Sequence, residues 1–254
     1  MIDIHTHILP GIDDGPKTME DSIALAKQAE AEGIHTMVAT PHHQNGAFTN
    51  NGEDIRALVH YFNQVLKDNN VDLTVLSGQE IRMYGELLDD LNQGTAISVN
   101  DSRYVLVELS SVQVPRYTSQ LFYDMQINGY VPVIVHPERN QTFKEKPEEL
   151  YQLVKNGALT QVTAHCFTNR MNKKTRQFAE QLVTHNMAHI ISSDAHNTDK
   201  RTFDLAFAYH RIEKKLGFDY LYILKENAER IITNQNVIID PPERIKKKKF
   251  LGMF

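Results

Sequence analysis

Histidines and carboxylates recur along this 254-residue chain at places where they could bind metal ions. His5 and His7 lie two residues apart in an apolar opening segment that is typical of a strand, so both imidazoles are expected on one face. Two imidazoles held on one face of a rigid strand suit a metal ion, although His-x-His alone is a weak signal. Because no leader segment precedes this strand, we expect it to begin the domain.

Later parts of the chain supply further groups of the same kind and no cysteine among them. The set mixes imidazole with carboxylate, which suits Mn²⁺, Fe or Zn²⁺ and argues against a sulfur-rich structural zinc site. Nine groups are too many for one ion and reasonable for two or three. The candidate metal ligands are His5, His7, Asp14, His42, Glu80, Glu108, His136, Asp194 and His196.

Some of these positions have a competing explanation. Asp13-Asp14-Gly15 is a natural turn, and spacing alone does not decide between Asp13 and Asp14 as the ligand. His42 and His43 are adjacent and point apart, so one can bind metal while the other packs. His136 follows an apolar run and could instead be a neutral histidine of the core.

Strands and helices must alternate to bring these groups together. The strand candidates are Ile2–His7, Thr36–His42, Thr74–Ile81, Tyr104–Ser111, Val131–His136, Leu159–His165 and His189–His196. The helix candidates are Met19–Glu32, Asp54–Asn69, Gly85–Gln93, Thr118–Asn128, Pro147–Asn156, Met171–His185, Lys200–Leu216 and Tyr220–Thr233. This alternation predicts an α/β fold with a parallel sheet, either a closed or nearly closed barrel or an open doubly wound sheet. Six of the seven strands end in a histidine or a carboxylate, and the carboxyl ends of such strands carry the site.

Composition narrows the class of protein. The chain is 41% hydrophobic, has a net charge of −5, and contains one cysteine, Cys166. The acidic balance argues against nucleic acid as a partner, and the single cysteine excludes a disulfide framework within the chain. We therefore expect a cytoplasmic protein with one domain over residues 1–240. Residues 241–254 form a basic tail, which is either solvated or makes a weak contact with an anionic membrane surface or a partner.

Six motifs together resemble the polymerase and histidinol phosphatase (PHP) superfamily. They are His5-x-His7, Thr40-Pro41-His42, Gly78-x-Glu80, Glu108, His136-Pro137-Glu138-Arg139 and Ser193-Asp194-Ala195-His196. More closely, the chain resembles the bacterial manganese-dependent protein-tyrosine phosphatases of the CpsB/YwqE type, which are linked to capsule and exopolysaccharide synthesis. The resemblance runs from residue 1 to about residue 240, and residues 3–15 look like the signature of that subgroup.

The resemblance implies a distorted (β/α)7 TIM-like barrel, the PHP fold, with three metal ions, most readily Mn²⁺. It assigns His5, His7, Glu80 and Asp194 to one ion. Glu80 bridges to a second ion that Glu108 and His136 also hold, and the third ion takes Asp14, His42 and His196. It further implies phosphate-binding roles for Arg139 and Arg201, for which a salt bridge at the barrel rim is the alternative, and a catalytic role for His42.

The implied reaction is hydrolysis of phosphotyrosine by a metal-hydroxide mechanism, on a bacterial tyrosine kinase and on proteins of capsule or exopolysaccharide synthesis. Cys166 does not fit the cysteine-nucleophile phosphatases, because they need an arginine six positions later and residue 172 is Asn. Three alternatives stay open. They are a small-molecule phosphatase such as histidinol-phosphate phosphatase, a nuclease, and a metal-stabilised module that binds a kinase without catalysis.

Overall fold

The computed structural model describes residues 1–246, and within them nine strands form two parallel sheets. One sheet has the order β1-β2-β4 and the other the order β3-β5-β6-β7-β8-β9. The strands are β1 (Ile2–Thr6), β2 (Thr36–Ala39), β3 (His42–His43), β4 (Thr74–Ser77), β5 (Glu80–Arg82), β6 (Tyr104–Glu108), β7 (Val131–Val135), β8 (Leu159–Thr163) and β9 (Ile190–Ser192).

The two sheets join into one distorted barrel. β2 continues into β3 through Thr40-Pro41, and β4 continues into β5 through Gly78-Gln79, so each pair forms one bent strand that spans both sheets. Pro41 has no N–H to donate to a ladder, which fits a break at this point. On the other side, Thr6 bridges Ala195 just after β9, and the His7 N–H donates to the Ala195 carbonyl at 2.8 Å. The ring therefore closes as seven strands, which confirms the predicted barrel.

Helices follow most strands and largely match the predicted segments. α1 begins with a capping box between Thr18 and Asp21 and ends at Gly33, whose φ of 87° suits glycine. The short α5 has no counterpart among the predicted helices. The helices are α1 (Met19–Glu32), α2 (Gly52–Asp68), α3 (Leu87–Gln93), α4 (Thr118–Ile127), α5 (Gln141–Glu145), α6 (Pro147–Lys155), α7 (Lys173–Thr184), α8 (Leu205–Leu216) and α9 (Phe218–Ile232).

One helix boundary differs from its prediction in a way that matters for the site. The helix predicted from Lys200 begins only at Leu205. The side-chain oxygen of Asn197 accepts hydrogen bonds from the N–H groups of Asp199, Lys200 and Arg201, which folds residues 197–201 into a tight loop. Such local bonds compete with helix formation, and here they hold Arg201 on a loop.

Two hydrophobic clusters stabilise the barrel. The larger one lies between the strands and the surrounding helices and includes Met37, Ile134 and Val162. The smaller one combines residues from strands on all sides of the ring, such as Ile4, Leu106 and Leu159, with Ala228 and Ile231 of α9. The strands are therefore apolar on both faces, as expected for a parallel sheet with helices outside.

The segment after α9 contacts the body of the domain as far as the structure describes it. The Glu243 N–H donates to the His185 carbonyl at 2.8 Å, and the Arg244 guanidinium lies 3.1 Å from Glu148 Oε2. Ile245 packs against the larger cluster. The predicted basic tail lies outside the described residues from Lys247 onward, so its role stays a prediction. Among residues 1–246, no helix is both long and apolar enough to cross a membrane.

Candidate metal centre and active site

The nine predicted ligands gather at the carboxyl ends of the strands, around the carboxylate of Glu80. Glu80 Oε2 lies 3.4 Å from His5 Nε2, 3.2 Å from His7 Nε2 and 2.9 Å from His42 Nδ1. Its second oxygen, Oε1, lies 2.6 Å from His136 Nε2. One fully buried carboxylate thus contacts four imidazoles, an arrangement that is typical of a bridging metal ligand.

Three groups of side chains bring their ligand atoms within 4.8 Å of one another. The first group is identical to the set that the resemblance assigns to one ion. The second contains the predicted Asp14, His42 and His196 together with His7. The third contains Glu80 and Glu108 with His42 in place of the predicted His136, which instead contacts Glu80 directly. The groups are His5, His7, Glu80 and Asp194; His7, Asp14, His42 and His196; and His42, Glu80 and Glu108.

Hydrogen bonds orient three of the imidazoles toward the cluster. His5 Nδ1 bonds to Gln161 Oε1 at 2.9 Å, and His7 Nδ1 bonds to Asp13 Oδ2 at 2.6 Å. His196 Nδ1 bonds to the backbone carbonyl of Asp194 at 2.9 Å. Because each partner is an oxygen acceptor, each Nδ1 carries a proton, so Nε2 is the atom that each ring can offer to a metal ion, with its lone pair free whenever the ring is neutral.

Those lone pairs provide the test of whether metal ions fit here. The Nε2 atoms of His5, His7 and His196 are buried and have no hydrogen-bond partner among the described residues, and the same holds for Glu80 Oε2 and Glu108 Oε2. Buried polar atoms without partners are costly, and several converging on one point need a common partner. Divalent cations satisfy all of them, and an all-imidazole and carboxylate donor set suits Mn²⁺, Fe or Zn²⁺.

The charges around the cluster favour ionised carboxylates, which are the forms that bind metal. Burial alone would raise the pKa of Glu80, but the charge of His5, the hydrogen bond with His136 and the close contact with His42 bring it well below its usual range. Burial acts on Asp194 in the same way, and the neighbouring Arg139 charge likewise holds its pKa well below the usual value. Both carboxylates are therefore ionised at neutral pH.

The imidazoles differ in how strongly they hold a proton. Burial lowers the pKa of His196 to about 4, and the charge of His7 contributes, so this ring is neutral. Burial also disfavours the charged form of His42, but its close contacts with the carboxylates of Asp14 and Glu80 raise the pKa to about 9. A cation at His42 must therefore displace a proton, which makes metal binding favour higher pH.

The backbone is strained at two of the ligands. His136 has a φ of 35° directly after β7, and Asp194 has a φ of 56° shortly after β9. The left-handed region costs about 1–3 kcal/mol for a residue with a side chain, and surrounding contacts must hold it there. β1 also shifts register between Asp3 and Thr6, an irregularity of the kind that re-aims side chains beside sites.

Two arginines border the cluster and both are paired with its carboxylates. Arg139 Nη2 lies 2.5 Å from Asp194 Oδ2. Arg201 Nη2 lies 3.2 Å from the same oxygen, and its Nη1 lies 3.0 Å from Asp14 Oδ2. The salt-bridge alternative therefore describes part of their role. Arg139 Nε is buried, but the two side chains as a whole remain 27% and 38% exposed, so part of each guanidinium is accessible to an anion at the mouth.

Three residues of the site have roles that the sequence did not predict; of the two acids left open as ligand, Asp14 joins the ligand groups and Asp13 does not. Asp13 and Gln161 orient the rings of His7 and His5. The buried strand β8 also contains Thr160 and Thr163, so its polar residues did not single out Gln161. Asp13 was considered as a turn residue or as an alternative to Asp14 as ligand, and its contact with His7 was not predicted. The ring of Phe48 stacks on the His42 imidazole, with centroids 6.2 Å apart and planes 9° apart, and no sequence pattern indicated this.

Two other candidates lie apart from the ligand cluster. His43 Nδ1 donates to the Asn50 carbonyl at 2.6 Å, so of the adjacent pair only His42 faces the cluster. Cys166 is buried, and its thiol lies 3.4 Å from Glu138 Oε1. Burial and the charge of Glu138 raise the pKa of this thiol well above its usual value, which is the opposite of what a nucleophile needs.

Comparison with known proteins places the chain among close relatives over its whole length. It is 44% identical over 254 residues to the tyrosine-protein phosphatase YwqE of Bacillus subtilis strain 168, with all of both chains covered. It is 31% identical over 245 residues to the tyrosine-protein phosphatase CpsB of Streptococcus pneumoniae, covering 92% of this chain and 99% of that protein.

The three-dimensional comparison agrees. A crystal structure of YwqE from Bacillus subtilis, described with CpsB from Streptococcus pneumoniae as metal-dependent tyrosine phosphatases, superposes with a TM-score of 0.95 at 44% identity. The match covers 97% of this chain and 100% of that one. The family model for capsular polysaccharide synthesis, CpsB/CapC, matches residues 1–233. The chain therefore belongs to the CpsB/CapC family.

Proposed function

We propose that this protein is a metal-dependent tyrosine phosphatase that hydrolyses phosphotyrosine in proteins. The observation that carries the proposal is the convergence of buried, partnerless imidazole and carboxylate atoms beside two accessible guanidinium groups. A polynuclear cation site next to two arginines is suited to a phosphate monoester. The family relatives named as tyrosine-protein phosphatases support the same reading.

The residues that would hold the metals are those of the three groups at the barrel mouth, with His136 as a further ligand through its contact with Glu80. Divalent ions bound there would polarise the phosphoryl oxygens and activate water. We propose Mn²⁺ as the physiological ion, because every donor is imidazole or carboxylate and the resemblance is to manganese enzymes.

Arg139 and Arg201 bind the phosphoryl group in this proposal. Both guanidiniums contact Oδ2 of Asp194, so they lie side by side at the edge of the cluster, where a phosphoryl group would meet N–H donors of both. Planar N–H donors match phosphate oxygens and stabilise charge that grows during transfer. A tyrosine leaving group departs as a phenolate with a pKa of about 10, so little help from a general acid is needed.

His42 combines two proposed roles. Its Nδ1 lies 2.9 Å from Glu80 Oε2 and its Nε2 lies 3.4 Å from Asp14 Oδ1, which places it between two ligand groups. A residue shared in this way orders the cluster and touches the region where substrate binds. We propose that His42 serves as a metal ligand and also as a catalytic residue.

We also propose that residues 1–240 form the phosphatase domain.

We further propose that the physiological substrates are a bacterial tyrosine kinase and proteins of capsule or exopolysaccharide synthesis. Membership of the capsular polysaccharide synthesis family supports this choice. Phosphate release from the autophosphorylated kinase by wild-type protein, and not by Arg139→Ala, would support it.

The decisive experiment joins metal analysis with activity. We expect the purified protein to contain two or three equivalents of a transition metal, to lose activity with a chelator, and to regain it with Mn²⁺. A phosphotyrosine peptide and histidinol phosphate should be assayed side by side, because the second substrate tests the small-molecule alternative. Full activity in metal-free protein would contradict the proposal, and preference for histidinol phosphate would favour the alternative.

Two substitutions separate metal-dependent hydrolysis from cysteine-dependent hydrolysis. Cys166→Ser should retain near-normal activity, because the thiol is buried beside Glu138 and serine keeps a donor there. Asp194→Asn should abolish activity, because it removes a charge shared by the metal cluster and both arginines. Loss of activity in Cys166→Ser with an unchanged metal content would argue for a thiol nucleophile.

A further inference from the structure

A polar groove leads away from the metal cluster, between the loop after β6, α5 and α7. It has a volume of about 920 Å³ and is bordered by Arg139, Lys144, Lys174, Gln177 and Gln181 among others. This volume lies near the upper end of the range for ligand pockets and exceeds what one phosphotyrosine side chain requires. The groove therefore has room for more of a substrate than its phosphorylated residue.

The groove adjoins a cavity of the proposed active site. A smaller cavity of about 210 Å³ is lined by the ligand candidates Glu108 and His136 and also by Ser111 and Arg139. Ser111 and Arg139 line the large groove as well. A substrate whose phosphate reaches the arginines thus has its adjoining atoms at the entrance of the groove.

The charges along the groove are mostly positive, in contrast with the whole chain. Arg139, Lys144 and Lys174 line it, against one acidic side chain, Glu145. The chain as a whole carries a net charge of −5. Positive charge concentrated here is therefore a local property and not a reflection of composition.

Two details concern the positions of these lysines. The helix dipole disfavours the charge of Lys174, and a hydrogen bond restrains Lys144. α7 begins with Lys173 and Lys174 and has no acidic residue in its first turn, although the helix dipole disfavours cations there. Lys144 Nζ donates to the Arg139 carbonyl at 3.1 Å, which holds its ammonium beside the active-site arginine. Lys144 is thus held beside Arg139, and the exposed Lys174 adds a further positive charge to the wall of the groove.

The remaining lining groups suit a polypeptide. Gln177 and Gln181 lie one turn apart on α7, and an amide side chain both donates and accepts hydrogen bonds. An extended peptide backbone presents N–H and carbonyl groups in alternation, which amides of this kind can satisfy.

We propose that this groove binds the polypeptide segment next to the phosphotyrosine, and that it selects segments with aspartate or glutamate side chains. The inference rests on the proposed phosphatase function and extends it by naming the class of protein sequence that the enzyme prefers. Lys144 and Lys174 act as specificity residues outside the metal cluster.

The test compares three substrates with the manganese-loaded enzyme. One phosphotyrosine peptide has aspartate or glutamate on both flanks, a matched peptide has asparagine or glutamine there, and p-nitrophenyl phosphate has no flanks. We expect the acidic peptide to have a KM roughly two- to tenfold lower than the neutral one at low ionic strength, with the difference shrinking in high salt.

The chain offers a matched pair of variants. Lys174→Glu and Lys173→Glu change the net charge equally in the same exposed helical turn, but only Lys174 lines the groove. We expect Lys174→Glu to raise KM for the acidic peptide roughly two- to tenfold, while Lys173→Glu does not. Both variants should turn over p-nitrophenyl phosphate at the wild-type rate, which also reports that they fold.

The possible failures are distinguishable. Equal effects of the two variants, or equal KM values for the two peptides, would overturn the groove proposal while leaving phosphatase activity in place. Polygalacturonate could instead inhibit the wild type but not Lys174→Glu, while the enzyme does not discriminate between the peptides. That result would assign the groove to an acidic polysaccharide and would also overturn the groove proposal. No turnover of any substrate would contradict the proposed function itself.

Discussion

Single side chains behind the ligands decide which atom each imidazole offers to a metal. Asp13 accepts a hydrogen bond from His7 Nδ1 at 2.6 Å and is also bonded by the Gly15 N–H at 2.9 Å. The carboxylate thereby fixes a proton on Nδ1 and leaves Nε2 as the atom that faces the cluster. Although burial disfavours the charged ring, the charge and hydrogen bond of Asp13 raise the pKa of His7 well above its usual value, so a metal ion must displace the proton from Nε2. Supporting residues of this kind usually contribute as much to a metal site as the ligands do.

Replacing Asp13 by Asn therefore tests the orientation of His7. An amide N–H₂ facing Nδ1 would favour the other tautomer, with the proton on Nε2 where the metal binds. We expect Asp13→Asn to weaken metal binding by about 10–100-fold, measured by competition with a calibrated chelator. Asp54→Asn, an exposed change in α2, is the matched control. Equal metal affinity in both variants would show that Asp13 is only a turn residue.

The loop after β1 is the element that folds these acids over the metal cluster. A Cβ atom added at Gly15 would lie 2.3 Å from the His7 carbonyl oxygen, which is closer than any real contact. The loop can therefore pass the strand end only with glycine at this position.

Gly15→Ala should destabilise the protein and distort the cluster together. We expect a loss of about 1–3 kcal/mol in the free energy of unfolding, measured by urea denaturation, together with weaker metal binding. Gly85→Ala is the control, because no atom lies within 4 Å of the added Cβ and its φ is ordinary. That control should change stability by less than about 0.5 kcal/mol. A normal metal affinity in Gly15→Ala would contradict the proposed role of the loop.

The strand pair β8–β9 carries a buried histidine that makes stability depend on pH. His189 lies just before β9, and its Nδ1 accepts the Thr160 N–H at 3.0 Å. Burial lowers its pKa to about 4 from the ordinary 6.5. In the unfolded chain His189 takes up a proton near pH 6.5, whereas in the folded protein it does so only near pH 4. The free energy of unfolding therefore falls as the pH drops from about 6.5 to about 4.

His189→Asn isolates this contribution, because its Oδ1 can still accept the Thr160 N–H and does not titrate. Between pH 7 and pH 4, wild type should lose about 3 kcal/mol of unfolding free energy more than the variant does. Parallel pH profiles in denaturant titrations would contradict the assignment.

At the scale of the whole molecule, the cluster joins the two sheets. β1 belongs to one sheet and supplies His5, whereas Glu80 and Glu108 lie on β5 and β6 of the other. Metal ions at this point would tie the sheets together where the barrel closes, so metal binding should stabilise the complete fold.

Metal removal tests this link. A site that is occupied at a hundred times its dissociation constant contributes about 2.7 kcal/mol to stability. In a protein of this size, we expect chelation to lower Tm by about 5–10 °C per strongly bound ion. Adding Mn²⁺ back should restore Tm, and Ca²⁺, which prefers oxygen ligands, should restore less. An unchanged Tm would show that the sheets close without help from metal.

Much of this protein follows from local patterns in its sequence. The alternation of apolar strands and amphipathic helices predicts a parallel barrel, because burial on both faces requires the apolar strands that the sequence shows. His5, Glu80 and His136 were predicted as ligands because parallel strands place their carboxyl ends together. These features depend on periodicity and on strand direction, which a sequence states directly.

Tertiary structure decided the rest. Three features depend on contacts between distant or irregular segments. They are the interrupted strands that join the two sheets, the loop that begins at Asn197 in place of a helix, and the pairing of Asp13 with His7. The groove beside Arg139 depends on how α7 packs against the end of β7, which no local pattern encodes. Residue types and spacing determined which chemistry this chain can perform, whereas the folded backbone determined which atoms face one another. The reason is that distance and orientation between segments are set by packing of the whole barrel and not by any segment alone.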